Sequence, residues 1–244
     1  MLLQNKTILL TGGTSGIGYQ LLRQLQPDNH LLVIARPSEK LNALVETFAG
    51  ITVYSADLAN PEEYCAVANQ IIEHHPRIDI LINNAAIQHA HCFQDKGFTY
   101  DSIAQEIHTN FTAPCSLVYL LLSTLLDTNR ETAIVNINSG LALAPKTQSS
   151  VYCGSKAAID GFSRSLCYQL AHTNIQVMQA FLPLVDTPMT QGRGAGKLSA
   201  EFVARKIIEG IEANRAINDI GKVKWLRRLL RIAPETTRKM MAKS

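Results

Sequence analysis

Two side chains four residues apart, Tyr152 and Lys156, have the types and spacing needed for proton transfer. On a helix such residues share a face, so the ammonium would lie a few ångströms from the phenol. A free tyrosine titrates near pH ~10, and a neighbouring positive charge favours the phenolate. The pair therefore predicts a tyrosine that exchanges a proton near neutral pH, although the same spacing also occurs by chance in many proteins.

Two further polar residues could complete this site. Ser139 ends a predicted strand thirteen residues before Tyr152 and could hold a substrate carbonyl or hydroxyl oxygen beside the phenol. Asn110 lies in a long predicted helix, roughly 100–126, close to Pro114, where a kink or a water site is expected. We expect Asn110 to anchor a water behind the lysine in a proton path.

A glycine-rich turn near the start of the chain is predicted to place a ligand against these groups. It follows the apolar run Thr7–Leu10 and opens a helix near Gly16, whose N–H groups and dipole favour a pyrophosphate. The spacing G-x-x-x-G-x-G departs from the standard dinucleotide fingerprint, so a plain strand-to-helix connection is the alternative. Its position after the first strand favours nucleotide binding. The candidate contacts are Gly12, Thr14, Ser15, Gly16, Ile17 and Gly18.

The residue that follows the second predicted strand, Leu31–Ile34, bears on the identity of the nucleotide. An acid there would accept hydrogen bonds from the 2′-hydroxyl of NAD, but the sequence has Arg36 and no acid. Arg36 could instead pair with the 2′-phosphate of NADP, and a solvated arginine is the alternative. The sequence therefore favours NADP, with NAD possible.

Polar residues also follow the third and fourth predicted strands. Asp57, next to Leu58, could accept the adenine amino group or could simply precede the next helix, for which Asn60 is the predicted cap. Asn84 and Ala85 end the fourth strand, where an amide can join neighbouring strands or line the cofactor cleft.

The composition predicts one α/β domain of about 221 residues followed by a basic tail. At 244 residues the chain suits one large core, and five widely spaced cysteines without a C-x-x-C pair favour free thiols in the cytoplasm. No signal peptide, nucleic-acid partner or metal site is expected. Eight of the 23 basic residues lie in 222–244, so residues 1–221 carry a net charge of −4.

The tail predicts two short helices separated by Pro234. Val223, Leu226, Leu229 and Leu230 form one apolar stripe, with basic residues on or beside the opposite face. Such a helix could lie on an anionic membrane surface or pack on the protein's own body, beside the substrate mouth or the partner subunit, and we favour packing.

Taken together, the glycine turn, Asn83-Asn84-Ala85, the internal Asn110, Ser139 and Tyr152-x-x-x-Lys156 resemble the short-chain dehydrogenase/reductase family over nearly the whole chain. Within it, Asn84–Gln88, Ser139–Ala142 and Val151–Cys153 resemble the DltE-like branch. The resemblance implies a doubly wound, Rossmann-type parallel sheet of seven strands with three helices on each face.

The resemblance also implies residue roles. Tyr152 would be the catalytic acid/base, Ser139 would orient the substrate, Lys156 would bind the ribose and tune the tyrosine, and Asn110 would anchor the proton relay. Nicotinamide-side contacts would come from Pro183, Val185 and Thr187. Ala86 and Leu184 stand where the family usually has glycine, so each adds a Cβ beside the cofactor.

The function implied is hydride transfer between NADP(H) and a small carbonyl or alcohol substrate, as a homodimer or homotetramer. Rival functions are an NADP(H) sensor without turnover and a membrane-surface protein acting through its tail. Ile87, Leu141, Leu143 and Met189 would form an apolar substrate rim. Candidates for an apolar self-association face are Leu117, Leu121, Phe162 and Leu166, although each could equally face the sheet.

Overall fold

A computed structural model describes residues 1–126 and 130–243 of the chain. The strands are β1 (Thr7–Thr11), β2 (His30–Ala35), β3 (Thr52–Ser55), β4 (Ile80–Asn83), β5 (Thr132–Ser139), β6 (Ile175–Leu182), β7 (Val185–Asp186), β8 (Leu198–Ser199) and β9 (Ile217–Asp219). Over the described residues, seven of these form a sheet in the order β3-β2-β1-β4-β5-β6-β9, with every pair parallel. Strands β7 and β8 pair separately.

Helices connect the strands and cover both faces of the sheet. They are α1 (Gly16–Leu25), α2 (Glu39–Thr47), α3 (Pro61–His74), α4 (Tyr100–Ile107), α5 (Ala113–Leu120), α6 (Leu122–Leu125), α7 (Ser150–Gln169), α8 (Ala200–Glu212), α9 (Val223–Ile232) and α10 (Pro234–Ala242). Apolar side chains of α1, α2 and α8 pack on one face, and those of α3, α5, α6 and α7 pack on the other. The predicted doubly wound fold is confirmed.

The central strands are buried on both faces, which explains their continuous apolar sequences. In β1, Ile8 and Leu10 belong to one core cluster while Leu9 belongs to the other, because successive side chains point to opposite faces. Strand β1 lies between β2 and β4, so the strand order reverses direction there. A crevice beyond the carboxyl ends of the strands at such a point is where open α/β sheets bind ligands.

The predicted helix over 100–126 is divided rather than continuous. A π-helical turn, His108–Thr112, separates α4 from α5. Pro114 lies just beyond it and has no N–H to donate to the Asn110 carbonyl, so regular α-helical bonding cannot continue through this point. π-turns of this kind are frequent at functional sites.

The residues proposed above for self-association face inward instead. Leu117, Leu121 and Leu166 are buried in the core cluster beneath α5 to α7, and Phe162 packs against the same cluster. Of the two alternatives, packing against the sheet is therefore the one these side chains adopt, and self-association itself stays a prediction. Tyr119 on α5 and Tyr168 on α7 are aromatic side chains that are each 79% exposed.

The tail folds as predicted, with α9 and α10 meeting at Pro234. Val223 is buried, and Arg227 makes two hydrogen bonds to Asp219 at 2.7 and 2.8 Å while its guanidinium lies 4.5 Å from the Phe181 ring centroid. The end of α10 is held where the Thr147 hydroxyl donates to the Ala242 carbonyl at 2.6 Å. Among the described residues, no helix is long and apolar enough to cross a membrane.

Candidate active site

A cavity of about 1460 Å³ opens beyond the carboxyl ends of β1, β2, β4, β5 and β6. Ser139 and all of the predicted cofactor residues line it, whereas Asn110 does not. The cofactor residues brought together are Gly12, Thr14, Ser15, Gly16, Ile17, Gly18, Arg36, Asp57, Leu58, Asn84, Ala85, Tyr152, Lys156, Pro183, Val185 and Thr187.

The glycine turn forms the floor at one end of the cavity and is called the glycine cradle below. Side chains at its glycine positions would fill the space above it. Gly12 and Gly16 have φ of +75° and +55°, in the left-handed region that favours glycine. A Cβ on Gly18 would overlap the Gly12 carbonyl oxygen, so the turn and the first turn of α1 can approach closely only without it. The side chain of Ser15, the N-cap of α1, makes no capping hydrogen bond. The first N–H groups of α1 therefore remain available to an anion, which fits a pyrophosphate.

The Asn84 amide fixes this cradle to the sheet. Its Nδ2 donates to the carbonyl oxygens of Thr11 and Gly12 at 2.9 and 3.1 Å, and its backbone N–H donates to the Thr11 hydroxyl at 3.0 Å. The neighbouring Asn83 donates from Nδ2 to Asn136 Oδ1 at 2.8 Å. The two amides thus join β4 to β1 and β5, and Asn84 also lines the cavity.

Arg36 lines the cavity beside the end of β2 and is exposed. Within residues 1–126 and 130–243, no carboxylate forms an ion pair with it. Asp57 is partly committed to local structure, since its Oδ1 accepts from the Ala59 N–H at 2.9 Å. Asn60 caps α3 as predicted, by accepting from the Glu62 N–H at 3.1 Å.

Tyr152, in the first turn of α7, and Ser139, the last residue of β5, both line the cavity. Tyr152 is buried, and burial raises its pKa to about 12 while a hydrogen bond with the Ser139 side chain partly offsets the rise. The lysine does not lower this pKa as the spacing suggested. Lys156 Nζ donates to the Ile137 carbonyl at 3.0 Å and lies over the tyrosine ring, 5.7 Å from its centroid. Burial lowers the pKa of Lys156 to about 8.

Asn110 lies behind this cluster, with its side chain fully engaged. Its Oδ1 accepts from the Ile87 N–H at 2.8 Å, and its Nδ2 donates to the Ile87 carbonyl at 2.9 Å and to Ser155 Oγ at 3.2 Å. The side chain therefore holds the segment after β4. A relay role for Asn110 would instead use its backbone carbonyl, to which Pro114 has no N–H to donate. This role stays a prediction.

Two departures from the family pattern, Ala86 and Leu184, both line the cavity. The Leu184 side chain leans toward Gly194, where an added Cβ would lie 2.5 Å from Leu184 Cδ2. The leucine thus occupies space beside the loop after β7 rather than within the glycine cradle.

The other end of the cavity combines residues that the sequence analysis named with others that it did not. Ile87, Leu141 and Met189 line it as expected, Leu143 does not, and the additional lining includes Gln88, Lys146, Arg193, Trp225, Leu226, Leu229 and Met240. The tail helices therefore border this end of the cavity, which agrees with the packing interpretation. No sequence motif identifies Lys146 or Arg193, because both lie on irregular segments.

Comparison with known proteins agrees with this geometry. The family profile described as short chain dehydrogenase matches residues 6–197. The chain is 30% identical over 234 residues to the uncharacterized oxidoreductase DltE of Bacillus subtilis (strain 168), covering 93% of this chain and 92% of that protein.

Solved structures give the same result. The short-chain dehydrogenase from Sphingobium yanoikuyae in complex with NADPH superposes with a TM-score of 0.81 at 25% identity, covering 95% of this chain and 94% of that one. A short chain dehydrogenase/reductase from Burkholderia phymatum in complex with NAD has a TM-score of 0.86 at 19% identity, covering 98% and 97%, and it shows the fold alone. The chain belongs to the short-chain dehydrogenase/reductase family of oxidoreductases.

Proposed function

We propose that the protein transfers a hydride between NADP(H) and a carbonyl or alcohol substrate, with Tyr152 as the general acid/base. The observation that carries this proposal is that Tyr152 and Ser139, whose side chain lowers the pKa of the tyrosine, line the same cavity as the glycine cradle. A proton donor, an oxygen-binding hydroxyl and a dinucleotide cradle are the parts that such a reaction needs.

Ser139, Tyr152 and Lys156 would each have a separate role in the reaction. Ser139 would donate a hydrogen bond to the substrate oxygen and hold it beside the phenol. Tyr152 would give that oxygen its proton during reduction, and its high pKa keeps the proton in place until then. The Lys156 ammonium would stabilise the phenolate that forms. Bound NADPH would supply the hydride.

NADP(H) is favoured over NAD(H) by the residue after β2. Arg36 is exposed on the cavity wall, and the position offers no acid for a ribose 2′-hydroxyl. Ser38 and Lys40 also line this part of the cavity and add polar and positive groups beside it. These features suit a 2′-phosphate.

We further propose that residues 1–221 act as the catalytic domain and that residues 222–244 form a segment that covers the substrate end of the cavity. Residue 244 lies outside the described residues.

A homodimer or homotetramer is proposed through the outer faces of α5 and α7, where Tyr119 and Tyr168 are exposed. Sedimentation of the wild type and of Tyr168→Asp at micromolar concentration tests the assembly.

Oxidation of NADPH by the purified protein, measured against a panel of aldehydes and ketones of different size and charge, tests the proposed reaction. Turnover of at least one carbonyl compound is expected. Tight NADPH binding without turnover of any compound, in either direction, would favour the sensor instead.

A further inference from the structure

We propose that the substrate carries an anionic oxygen group, a carboxylate or a phosphate, which Lys146 and Arg193 bind at the mouth of the cavity. These two residues are called the cation pair below. The proposal rests on the proposed function, because it assigns a substrate to the cavity that contains Tyr152.

The cation pair is positioned at the substrate end by separate segments. Lys146 belongs to the segment between β5 and α7, and Arg193 to the loop between β7 and β8. Arg193 is oriented by a hydrogen bond from Nη1 to Gln88 Oε1 at 2.7 Å, and its backbone N–H donates to the Thr190 carbonyl at 3.0 Å. Both cations are half-buried and line the cavity.

The two positive charges act on each other and on the catalytic centre. Burial and the charge of Arg193 lower the pKa of Lys146, so the ammonium is held in an environment that disfavours it. The charge of Arg193 also lowers the pKa of Tyr152, although burial dominates that group. An anion bound to the pair would therefore lie within electrostatic reach of the phenol.

No carboxylate in the described part of the chain neutralises the cation pair within the 4.0 Å of an ion pair. Asp186 pairs with Lys197 at 3.6 Å. Glu106 is buried, and its Oε1 accepts from the His89 N–H at 2.7 Å. Two half-buried like charges without a counter-ion are costly, and an external anion would remove that cost.

The N–H groups of Arg193 and Lys146 that have no hydrogen-bond partner in the described chain are suited to binding an oxyanion. A guanidinium has five N–H donors, and Gln88 accepts one of those of Arg193. Within the described chain no hydrogen bond from Lys146 Nζ is found. Beyond the pair, Trp225, Leu229 and Met240 leave an apolar surface for the rest of the molecule. The proposed substrate is thus a carbonyl compound with an apolar body and one anionic group.

Matched substrates test this proposal. The probes are 7-oxooctanoate, its methyl ester and the phosphate monoester of 7-hydroxy-2-heptanone, measured with NADPH. The proteins are the wild type, Lys146→Gln, Arg193→Gln, the double variant and Arg215→Gln, an exposed arginine that does not line the cavity and controls for net charge.

We expect the wild type and Arg215→Gln to prefer an anion over the ester by about tenfold or more in kcat/KM, as charge-assisted hydrogen bonds typically contribute. The preference should fall in each single variant and disappear in the double variant. Whether carboxylate or phosphate is preferred distinguishes the two sources of the oxyanion. Calorimetric binding of octanoate to the NADP⁺-loaded protein, lost in the double variant, is the readout that does not depend on turnover.

Equal kcat/KM for anions and ester, or a preference that survives in the double variant, would overturn the proposal. So would a loss of NADPH affinity in Arg193→Gln, because the pair would then serve the cofactor. If no carbonyl compound is turned over, the proposed function fails, and octanoate binding alone decides whether the cation pair is an anion site.

Discussion

At the cofactor end of the cavity the lining residues are held by hydrogen bonds between strand ends, whereas at the substrate end they lie on loops and on the tail helices. Asn84 ties the glycine turn to the sheet through three hydrogen bonds. By contrast, Arg193 is held by one side-chain hydrogen bond, and Trp225 is 64% exposed. A fixed end can bind a constant ligand, while an end built on variable segments can adapt to different substrates.

The proposed catalytic residue Tyr152 lines the same cavity, and its loss should have the largest effect. Tyr152→Phe keeps the buried ring but removes the hydroxyl, and turnover should fall by about 10² or more because a positioned proton donor is lost. NADPH affinity should be retained. Tyr100→Phe, which changes an exposed tyrosine on α4 that does not line the cavity, is the matched control and should behave as wild type.

Near-normal turnover by Tyr152→Phe on a verified substrate would mean that another group donates the proton. Stopped-flow measurement of NADPH oxidation, with fluorescence titration of the cofactor on the same preparations, separates a loss of chemistry from a loss of binding.

The cofactor end can be tested separately through Arg36. Removing its charge in Arg36→Ala should weaken NADPH binding by about tenfold, the low end for a charge-assisted contact because the site is exposed to solvent. NADH binding should not change. Arg77→Ala, an exposed arginine away from the cavity, provides the control. An equal loss for both cofactors would show that Arg36 acts on the fold rather than on a 2′-phosphate.

This difference between the two ends also explains what the sequence could predict. Strands β1 to β5 were predicted because buried parallel strands are continuous apolar runs, and the glycine turn was proposed as a nucleotide site because it follows the first strand. Pro183, Val185 and Thr187 were proposed only from the family resemblance. Strand β9, at the sheet edge and only three residues long, offers no such run. Lys146 and Arg193 were missed because a cation on an irregular segment has no periodicity to indicate its direction.

The helices α5 and α7 show a second limit of sequence reasoning. Their apolar residues are evident, but a helix between a sheet and a partner has two candidate faces. Leu117 and Leu121 turned out to face the sheet. The pKa of Tyr152 shows a related limit. The four-residue spacing to Lys156 predicts that the two side chains are close, but it does not predict the burial that raises the pKa of the tyrosine.

The pH dependence of carbonyl reduction should report on Tyr152 and Lys156 rather than on either end of the cavity. Burial lowers the pKa of Lys156 to about 8, so the ammonium is present below that pH and is lost above it. If this charge stabilises the phenolate, kcat for reduction should be flat from pH 6 to 7.5 and fall by up to about tenfold per unit above 8. Tyr152 remains protonated throughout this range because its pKa is about 12. A rate that stays constant up to pH 10 would contradict this role for Lys156.

The smallest effect is expected at the substrate end, where Trp225 on α9 lines the cavity but remains 64% exposed. Trp225→Ala removes apolar contact area that a substrate would cover, so KM for an apolar carbonyl compound should rise about threefold to tenfold. NADPH affinity and melting temperature should not change, because α9 is held to the body by Val223 and Arg227. Ile232→Ala, which is 81% exposed on the same helix and does not line the cavity, is the control. Unchanged KM in Trp225→Ala, together with lost binding to anionic vesicles, would instead assign the tryptophan and the basic residues around it to a membrane surface. The substrate end of the cavity would then open toward the lipid. Its apolar lining would let the substrate enter but would not determine which substrate binds.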